Sequence, residues 1–269
     1  PIPAQVAGAA ALGLQLTPGS GLWEYPGGTE LYGISFTTNL SGWSIGSEVS
    51  YMPNLPVQIN ANDLLSAILL GVGPMGAKSV ASNAVGAGDY VAGFDRLNKV
   101  QIQLNGIKIL PRILGSAQSV FIGEIGYQRV NIGNSYTGNR YGRHFVFGYG
   151  QHALYGGTSL TTTHPEGSKN DGYVTENSWG YRMRIRGEYP GVWGSPFTLY
   201  PTLSIKHDVS GFSADSQFLQ DRIAVGLSAR FNLNKVHNFE LGYVYYADSA
   251  DYDATRDRDY FSIVLNTSF

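Results

Sequence analysis

The feature that most constrains the fold is a strict alternation of apolar and polar residues along long stretches of the chain. In the clearest stretch, from Trp179 to Tyr189, every second residue is apolar or glycine, and Arg182, Arg184 and Arg186 occupy positions between them. A β-strand places successive side chains on opposite faces, whereas a helix would scatter both classes around its surface. This stretch therefore predicts a strand with one apolar face and one charged face.

The same alternation recurs in eight other segments, and the nine together predict an all-β chain. Most of the segments run about nine to thirteen residues, whereas strands of soluble proteins usually have about five or six. A tilted strand that crosses a bilayer needs about nine to eleven residues. The loops also alternate in length, as in outer-membrane barrels with short periplasmic turns and long external loops. We expect the long loops at residues 53–97, 131–177, 209–219 and 247–257.

The composition favours a membrane barrel over a soluble β-protein. Charged residues make up 14 % of the chain, below the roughly 25 % of an average soluble domain. The polar faces of the segments carry Gly and Ser at positions where a water-exposed surface would carry Lys and Glu. We therefore expect an antiparallel transmembrane β-barrel of the outer-membrane type, located in the bacterial outer membrane and in contact with its lipid.

Several function classes are excluded by residue counts and motifs. The net charge of −2 leaves no basic surface for nucleic acid, and the absence of Cys excludes a thiol enzyme and a disulfide framework. The sequence contains neither a nucleophile elbow nor a metalloprotease histidine spacing. We expect no enzymatic activity, no cofactor and no metal site. An acidic segment lacks the Gly and Glu of a calcium loop and is expected to pair with its own arginines; its carboxylates are Asp251, Asp253, Asp257 and Asp259.

The number of strands bears on how the barrel closes. Bacterial single-chain barrels have an even number of strands. Nine strands that end in the periplasm would leave the first strand starting outside the cell, so we expect this chain to be an incomplete part of a larger barrel. Residues 1–269 then form a single barrel domain, in which residues 1–29 are an extracellular loop or linker and residues 131–177 a long extracellular loop.

Several short motifs, taken in order, are similar to those of a known family. They are the run Leu31–Phe36, the run Gly42–Tyr51, residues 53–58 with 62–65, residues 178–181, Pro201 with residues 207–211, residues 257–259 and the terminal Phe269. Together they resemble the C-terminal half of a family of large proteobacterial outer-membrane β-barrel proteins, filed as domain of unknown function 1302. The resemblance covers nearly the whole chain, from about Glu30 to Phe269.

The resemblance implies a transport function without naming functional residues. Members of this family are about twice as long as this chain and look like barrels that move hydrophobic or lipid-like molecules. They are often encoded beside a periplasmic protein similar to lipid carriers and an efflux-type inner-membrane pump. A lipid carrier or such a pump is therefore an expected partner. The family has no catalytic residues that could be transferred to this sequence.

The charged faces of the strands supply the candidate residues of the barrel interior. The residues expected to face the lumen and a substrate are Arg182, Arg184, Arg186, Glu188, Glu124, Glu48 and Arg230. The three arginines of one strand would form a ladder that attracts an anion or a polar head group. The alternative is an interior charge network, in which the arginines are paired by Glu48, Glu124, Glu188 and Glu240.

The long insertion at residues 53–97 contains a candidate plug. Residues 60–70 predict a short helix, with Asn60 or Asn62 as its N-cap. Leu64, Leu65, Ile68 and Leu69 recur at helical spacing and would offer an apolar contact to a greasy substrate. The alternative is a loop helix that packs on a neighbouring loop.

The end of the sequence resembles a signal for the barrel-assembly machinery. Ile263, Leu265 and the terminal Phe269 occupy alternate positions. Thr267 departs from the pattern, because such C-termini prefer an apolar or aromatic residue at that position.

The function expected from these features is passage of hydrophobic or amphipathic small molecules across the outer membrane. One alternative is a water-filled porin with a preference for anions. Another is a structural or adhesive barrel that binds a partner through its long loops. A barrel-embedded lipid hydrolase is a further alternative, but His207 and Asp208 are neighbours in a strand and would face opposite ways.

Overall fold

The computed structural model describes residues 21–78, 88–157 and 164–268 and is all-β within those ranges. A single sheet contains nine antiparallel strands in sequence order, and each strand pairs with its neighbours in the chain. The strands are β1 (Tyr32–Leu40), β2 (Trp43–Gln58), β3 (Phe94–Pro111), β4 (Gln118–Val130), β5 (Asn177–Pro190), β6 (Phe197–Ser210), β7 (Arg222–Leu233), β8 (His237–Tyr246) and β9 (Tyr260–Thr267). The one helix longer than a turn in the described ranges is α1 (Ala61–Leu70). The predicted strand count is therefore confirmed.

The register of the strands keeps apolar and polar side chains on separate faces. Leu227 of β7 lies opposite Leu203 of β6 and Tyr243 of β8. Directly opposed residues of antiparallel strands point to the same side of the sheet. Arg182 of β5 and Glu124 of β4 are also directly opposed, and their side chains lie on the other side of the sheet. We call the two sides the apolar face and the polar face of the sheet.

The short connections are tight turns that positive φ angles make possible. Ser41 and Gly42 join β1 to β2 with φ angles of 50° and 78°. A two-residue hairpin with both φ angles positive is a type I′ turn, whose twist matches the strands on either side. The longer insertions begin and end within a few residues of the expected positions. The first is shorter than predicted, because β2 continues to Gln58 and β3 already begins at Phe94.

The chain divides into two compact units. The loop unit takes the described residues of Pro1–Glu30 together with Met52–Asn98 and Val130–Glu176, and the sheet unit takes Leu31–Tyr51, Lys99–Arg129 and Asn177–Phe269. The loop unit has a conventional core of buried apolar side chains. This core includes Val57, Ile59, Ala67, Met75, Val130, Tyr141, Phe147, Tyr155, Tyr173 and Val174.

The sheet unit leaves its apolar face uncovered along its whole width. Phe36 in β1 is 63 % exposed, Leu227 in β7 is 57 % exposed and Leu265 in β9 is 77 % exposed. Other exposed side chains on this face are Ile34, Val49, Ile125, Trp179, Met183, Leu203, Phe239, Tyr243, Tyr245, Phe261 and Ile263. The sheet is also open, because β1 and β9 form its two edges. No helix in the described ranges has both the length and the apolar character needed to cross a membrane.

Candidate functional site

The polar face of the sheet unit carries rows of side chains that run across neighbouring strands. One row joins Glu124, Arg182, Lys206 and Ala224 in β4 to β7. The adjacent row runs from β4 to β8 through Ile122, Arg184, Ser204, Gly226 and Val244. The predicted arginines of β5 therefore lie on one face, and Lys206 is a further cation beside them.

Two of these arginines have no partner in the part of the chain that the structure describes. Neither Arg182 nor Arg184 forms an ion pair, a hydrogen bond or a ring contact there. Arg186 and Arg230 both lie over the ring of Tyr200, at 5.7 and 4.8 Å from its centroid, as in cation–π contacts.

The carboxylates that the charge-network alternative requires do not pair with the ladder. Within the described residues, none of the four lies within 4.0 Å of a cationic nitrogen; they are Glu48, Glu124, Glu188 and Glu240. Glu124 lies opposite Arg182 in the register, but the two side chains do not form an ion pair. The geometry therefore leaves net positive charge on this part of the polar face.

Beside these cations, small residues leave a hollow in the polar face of the sheet. Ser204 lies opposite Gly226, where an added Cβ would come within 2.6 Å of the Ser204 Oγ. The resulting hollow has a volume of about 280 Å³ and is lined by cationic and apolar side chains together with the carboxylate of Glu124. Its border includes Arg182, Arg184, Lys206, Ile122 and Val244.

The loop between β6 and β7, residues 211–221, folds over the polar face. The ring of Phe218 lies above Gly126 and Gly180, which are directly opposed in β4 and β5. A Cβ on Gly126 would lie 3.0 Å from the Phe218 ring, and one on Gly180 would lie 2.5 Å from the His207 carbonyl oxygen. The aromatic ring can approach the polar face this closely because Gly126 and Gly180 have no side chains.

An ion pair between buried Lys99 and the partly exposed Asp215 holds this loop at its tip. The Lys99 Nζ donates to the Asp215 carboxylate over 2.6 Å, and the Gln128 Nε2 donates to the same carboxylate over 3.0 Å. Lys99 and Gln128 are both buried. Burial by itself would raise the pKa of Asp215, but the hydrogen bonds from Lys99, Ser213 and Gln128 outweigh it and hold that pKa below its usual value.

A second anchor holds the loop at its base. The carboxylate of Asp208, which is buried, accepts from the Arg222 Nε at 2.7 Å and from the Leu219 backbone N–H at 3.2 Å. The Lys206 Nζ lies 3.3 Å from the same carboxylate. We call the two anchors together with the seated ring of Phe218 the loop latch.

Sequence reasoning did not find the loop latch. Lys99 and Asp215 are 116 residues apart, and no motif links them. One signal was available, because Lys99 falls in step with Gln101 and Gln103 on the polar face of β3 and would be costly to bury unpaired there.

In the loop unit, α1 begins after Asn60, whose side chain accepts from the backbone N–H groups of Asn62 and Asp63. The predicted helix and its first N-cap candidate are confirmed. Its buried face is polar, because Asp63 forms a fully buried ion pair with Arg140 and accepts a 2.8 Å hydrogen bond from the Tyr155 hydroxyl.

This network keeps its groups in fixed charge states. Burial raises the pKa of Tyr155, and the nearby charge of Asp63 raises it further. Burial acts to lower the pKa of Arg140, but the hydrogen bonds to Asp63 and its charge raise it overall. Tyr155 therefore remains a donor and Arg140 remains a cation across the physiological range.

The predicted plug residues lie on the outward side of α1. Leu65 is 47 % exposed and Ile68 is 56 % exposed, whereas Leu64 is half-buried. The side chain of Leu69 lies outside what the structure describes. The helix packs on the loop of residues 130–176 through its polar side, so its apolar side is left uncovered.

The remaining predicted residues are located as follows. Ile263 and Leu265 lie on the exposed apolar face of β9, and Phe269 lies outside the described residues. In the acidic segment, Arg256 lies 3.9 Å from Asp251, and Asp253 caps the turn at Thr255. Among the described residues, no group of three or more His, Asp or Glu side chains is arranged to hold a metal ion.

Comparison with known proteins adds one finding. A family model described as protein of unknown function, DUF1302, matches residues 4–269. A search of curated proteins gave no match to this chain.

Proposed function

The chain belongs to the DUF1302 family, and from that premise we propose that it forms an outer-membrane β-barrel, or part of one, that passes hydrophobic or amphipathic small molecules. The observation that carries this proposal is the uncovered apolar face of the sheet unit. Soluble proteins rarely expose a contiguous apolar patch of more than a few hundred Å². A face of this extent, with polar side chains on the other side of the same strands, suits lipid outside and a lumen inside.

The two free sheet edges support the same interpretation. β1 and β9 are exposed along nearly their whole length, and each presents a row of backbone groups that no strand of this sheet satisfies. An open edge is not tolerated in the hydrocarbon of a bilayer, since unsatisfied backbone groups cost several kcal/mol each there. In the proposed barrel, further strands pair with both edges and close the sheet.

The polar face contains apolar positions that a purely aqueous pore does not need. The register places Val120 and Ile122 of β4 on the polar face with Arg186 and Arg184 of β5. Val264 of β9 lies there too, opposite Glu240. Such a wall offers contacts to an alkyl chain as well as to a charged group, which favours an amphipathic cargo.

The loop unit would supply the first apolar contact. In this proposal Leu64, Leu65, Ile68 and Leu69 of α1 take the tail of the cargo, and residues 53–97 act as the gate. The exposed positions of Leu65 and Ile68 are consistent with that role. A periplasmic lipid carrier or an efflux-type pump would be the partner.

A permeability assay tests the proposal. The protein is expressed in a Gram-negative host, and entry of the hydrophobic dye N-phenyl-1-naphthylamine is followed by fluorescence. We expect faster dye entry than with an empty vector, and we expect the double variant Leu65→Asp with Ile68→Asp to reduce it. A protein that never inserts into the outer membrane would overturn the proposal, and dye entry equal to the empty vector would refute the hydrophobic cargo.

A second candidate is a water-filled porin with anion preference, and the unpaired Arg182 and Arg184 favour it. This candidate predicts large, steady conductance in a planar bilayer, with a reversal potential that reports anion selectivity. Replacing both arginines by Gln would then shift the reversal potential toward zero. High conductance without dye entry would select the porin over the amphipath channel.

A further inference from the structure

We propose that Arg182, Arg184 and Lys206, the cation triad, bind the anionic head group of a single-chain amphipath such as a fatty carboxylate or an alkyl phosphate. The inference deepens the proposed function and rests on it, because it assumes that the polar face lines the path of the cargo. It also names a residue, Lys206, that the charge pattern of β5 alone does not reveal.

The register brings the three cations within reach of one small anion. Arg182 lies directly opposite Lys206, and Arg184 is two residues along β5 on the same face. Directly opposed side chains in antiparallel strands have Cβ atoms about 4.5–5.5 Å apart, and residues i and i+2 of a strand are about 7 Å apart. Three flexible cationic side chains at these separations can converge on one carboxylate or phosphate.

The surrounding charges neutralise the triad only in part. The Lys206 Nζ lies 3.3 Å from the buried carboxylate of Asp208, which it shares with Arg222, so one carboxylate faces two cations there. Glu124 faces Arg182 across the strand pair without forming an ion pair. Like charges held together on a protein wall repel one another, and a bound anion relieves that repulsion.

The hollow next to the triad fits an alkyl chain. The small residues Ser204, Ala224 and Gly226 line it together with the apolar Ile122 and Val244. Its volume of about 280 Å³ is close to the lower end, about 300 Å³, of sites that hold one small ligand. A cationic end and an apolar border within one hollow suit a molecule that carries both kinds of group.

The experiment compares three ligands with the same twelve-carbon chain on the full chain in nanodiscs, by isothermal titration calorimetry. The ligands are dodecanoate, dodecyl phosphate and the uncharged dodecanol, and inorganic phosphate is titrated as a head group without a tail. We expect the anionic amphipaths to bind at least ~10-fold more tightly than dodecanol. A preference between the two anionic ligands identifies carboxylate or phosphate as the natural head group.

Variants assign the binding to the triad. Arg182→Gln and Arg184→Gln should each weaken dodecanoate or dodecyl phosphate by about 10-fold or more, and dodecanol should be unaffected. Arg184→Lys keeps the charge and should retain affinity for the anionic ligands within about threefold. Retained affinity would also show that a substitution at this position leaves the sheet folded. Lys235→Gln removes the same charge from the exposed turn between β7 and β8 and serves as the matched control.

Three results would overturn the inference. They are anionic ligands that bind no better than dodecanol, glutamine variants that match the control, and inorganic phosphate that binds as tightly as dodecyl phosphate. The dye-entry assay distinguishes failure of this inference from failure of the proposed function. A chain that still admits the uncharged dye but shows no anion binding is a channel without this head-group site.

Discussion

Replacing Leu227 by Arg tests whether the apolar face contacts lipid. Leu227 lies near the middle of β7, which spans Arg222–Leu233, and 57 % of its side chain is exposed. If that face is in water, an exposed substitution changes the free energy of unfolding by less than about 0.5 kcal/mol. If the face is in lipid, Arg at the bilayer midplane costs about 2–4 kcal/mol.

The expected cost of an Arg substitution varies with its position along the same strand. Ile223 is on the apolar face next to the start of β7. If that face is in lipid, an Arg there should cost only about 0–1 kcal/mol, because the end of a strand would lie near a membrane interface. Ser228 follows Leu227 directly but lies on the polar face, opposite Thr202 and Gly242. Ser228→Arg therefore adds the same charge to the polar face and should cost less than about 1 kcal/mol.

The measurement is reversible unfolding by guanidinium chloride of protein inserted into phospholipid vesicles, followed by tryptophan fluorescence. A loss of 2 kcal/mol corresponds to a roughly 30-fold change in the folding equilibrium, since about 1.4 kcal/mol is tenfold. Equal and small effects at Leu227 and Ser228 would refute the lipid-facing assignment. A larger effect at Ser228 than at Leu227 would show that the two faces are assigned the wrong way round.

Four further predictions concern the anchors of the structure. Asp215→Asn removes the carboxylate that neutralises buried Lys99. Because Asp215 is a third exposed, the free energy of closing the loop should become less favourable by only about 2 kcal/mol. Amide exchange in residues 211–221 should then be roughly 30-fold faster. The pKa of Asp215 is depressed, so its contribution is complete above the ordinary value near 3.9 and is lost as the pH falls through the lowered pKa; loop closure should therefore weaken only in acid. Gly180→Ala should also open the loop, because the new Cβ meets the β6 backbone at 2.5 Å and displaces the ring above it. Tyr155→Phe should lower the free energy of unfolding by about 1–3 kcal/mol, since it removes a hydrogen bond to a buried carboxylate.

Asp215→Asn and Tyr155→Phe each have a matched control. Asp221→Asn makes the same substitution at the end of the same loop, away from Lys99, and should leave the exchange rates within about threefold. Tyr149→Phe removes a hydroxyl from a ring 6.2 Å from that of Tyr155 and should cost less than about 0.5 kcal/mol. If Asp215→Asn and Asp221→Asn behave alike, the ion pair does not hold the loop, and if both tyrosine variants behave alike, the hydroxyl of Tyr155 has no special role.

The sheet could be predicted from the sequence because the information is local. Alternation along β5 assigns Arg182 and Arg184 to one face and Met183 to the other, and pairing with β4 and β6 preserves that assignment. The period of a strand fixes the face of every side chain once one residue is placed. The number of strands, the separation of the two faces and the helix in the first insertion could therefore all be read from the sequence.

The loops could not be predicted in the same way, because their contacts join distant parts of the chain. The periodicity of α1 drew attention to Leu65 and Ile68, yet the helix is held by Asp63 on Arg140, 77 residues away. A carboxylate in a short helix is ordinarily a surface residue. Its burial follows only from a cation and a tyrosine hydroxyl that a separate loop supplies.

The order of the strands has a consequence for how such a protein changes its size. Each of the nine strands pairs only with strands adjacent to it in the chain, so no connection crosses over another strand. Deletion of one hairpin, such as β7 with β8, would leave β6 and β9 antiparallel and free to pair, because two strand reversals are removed together. Duplication of a hairpin would likewise insert two strands without altering any other partner. A sheet built in this way can widen or narrow in steps of two strands during evolution while each remaining strand keeps its apolar and its polar face.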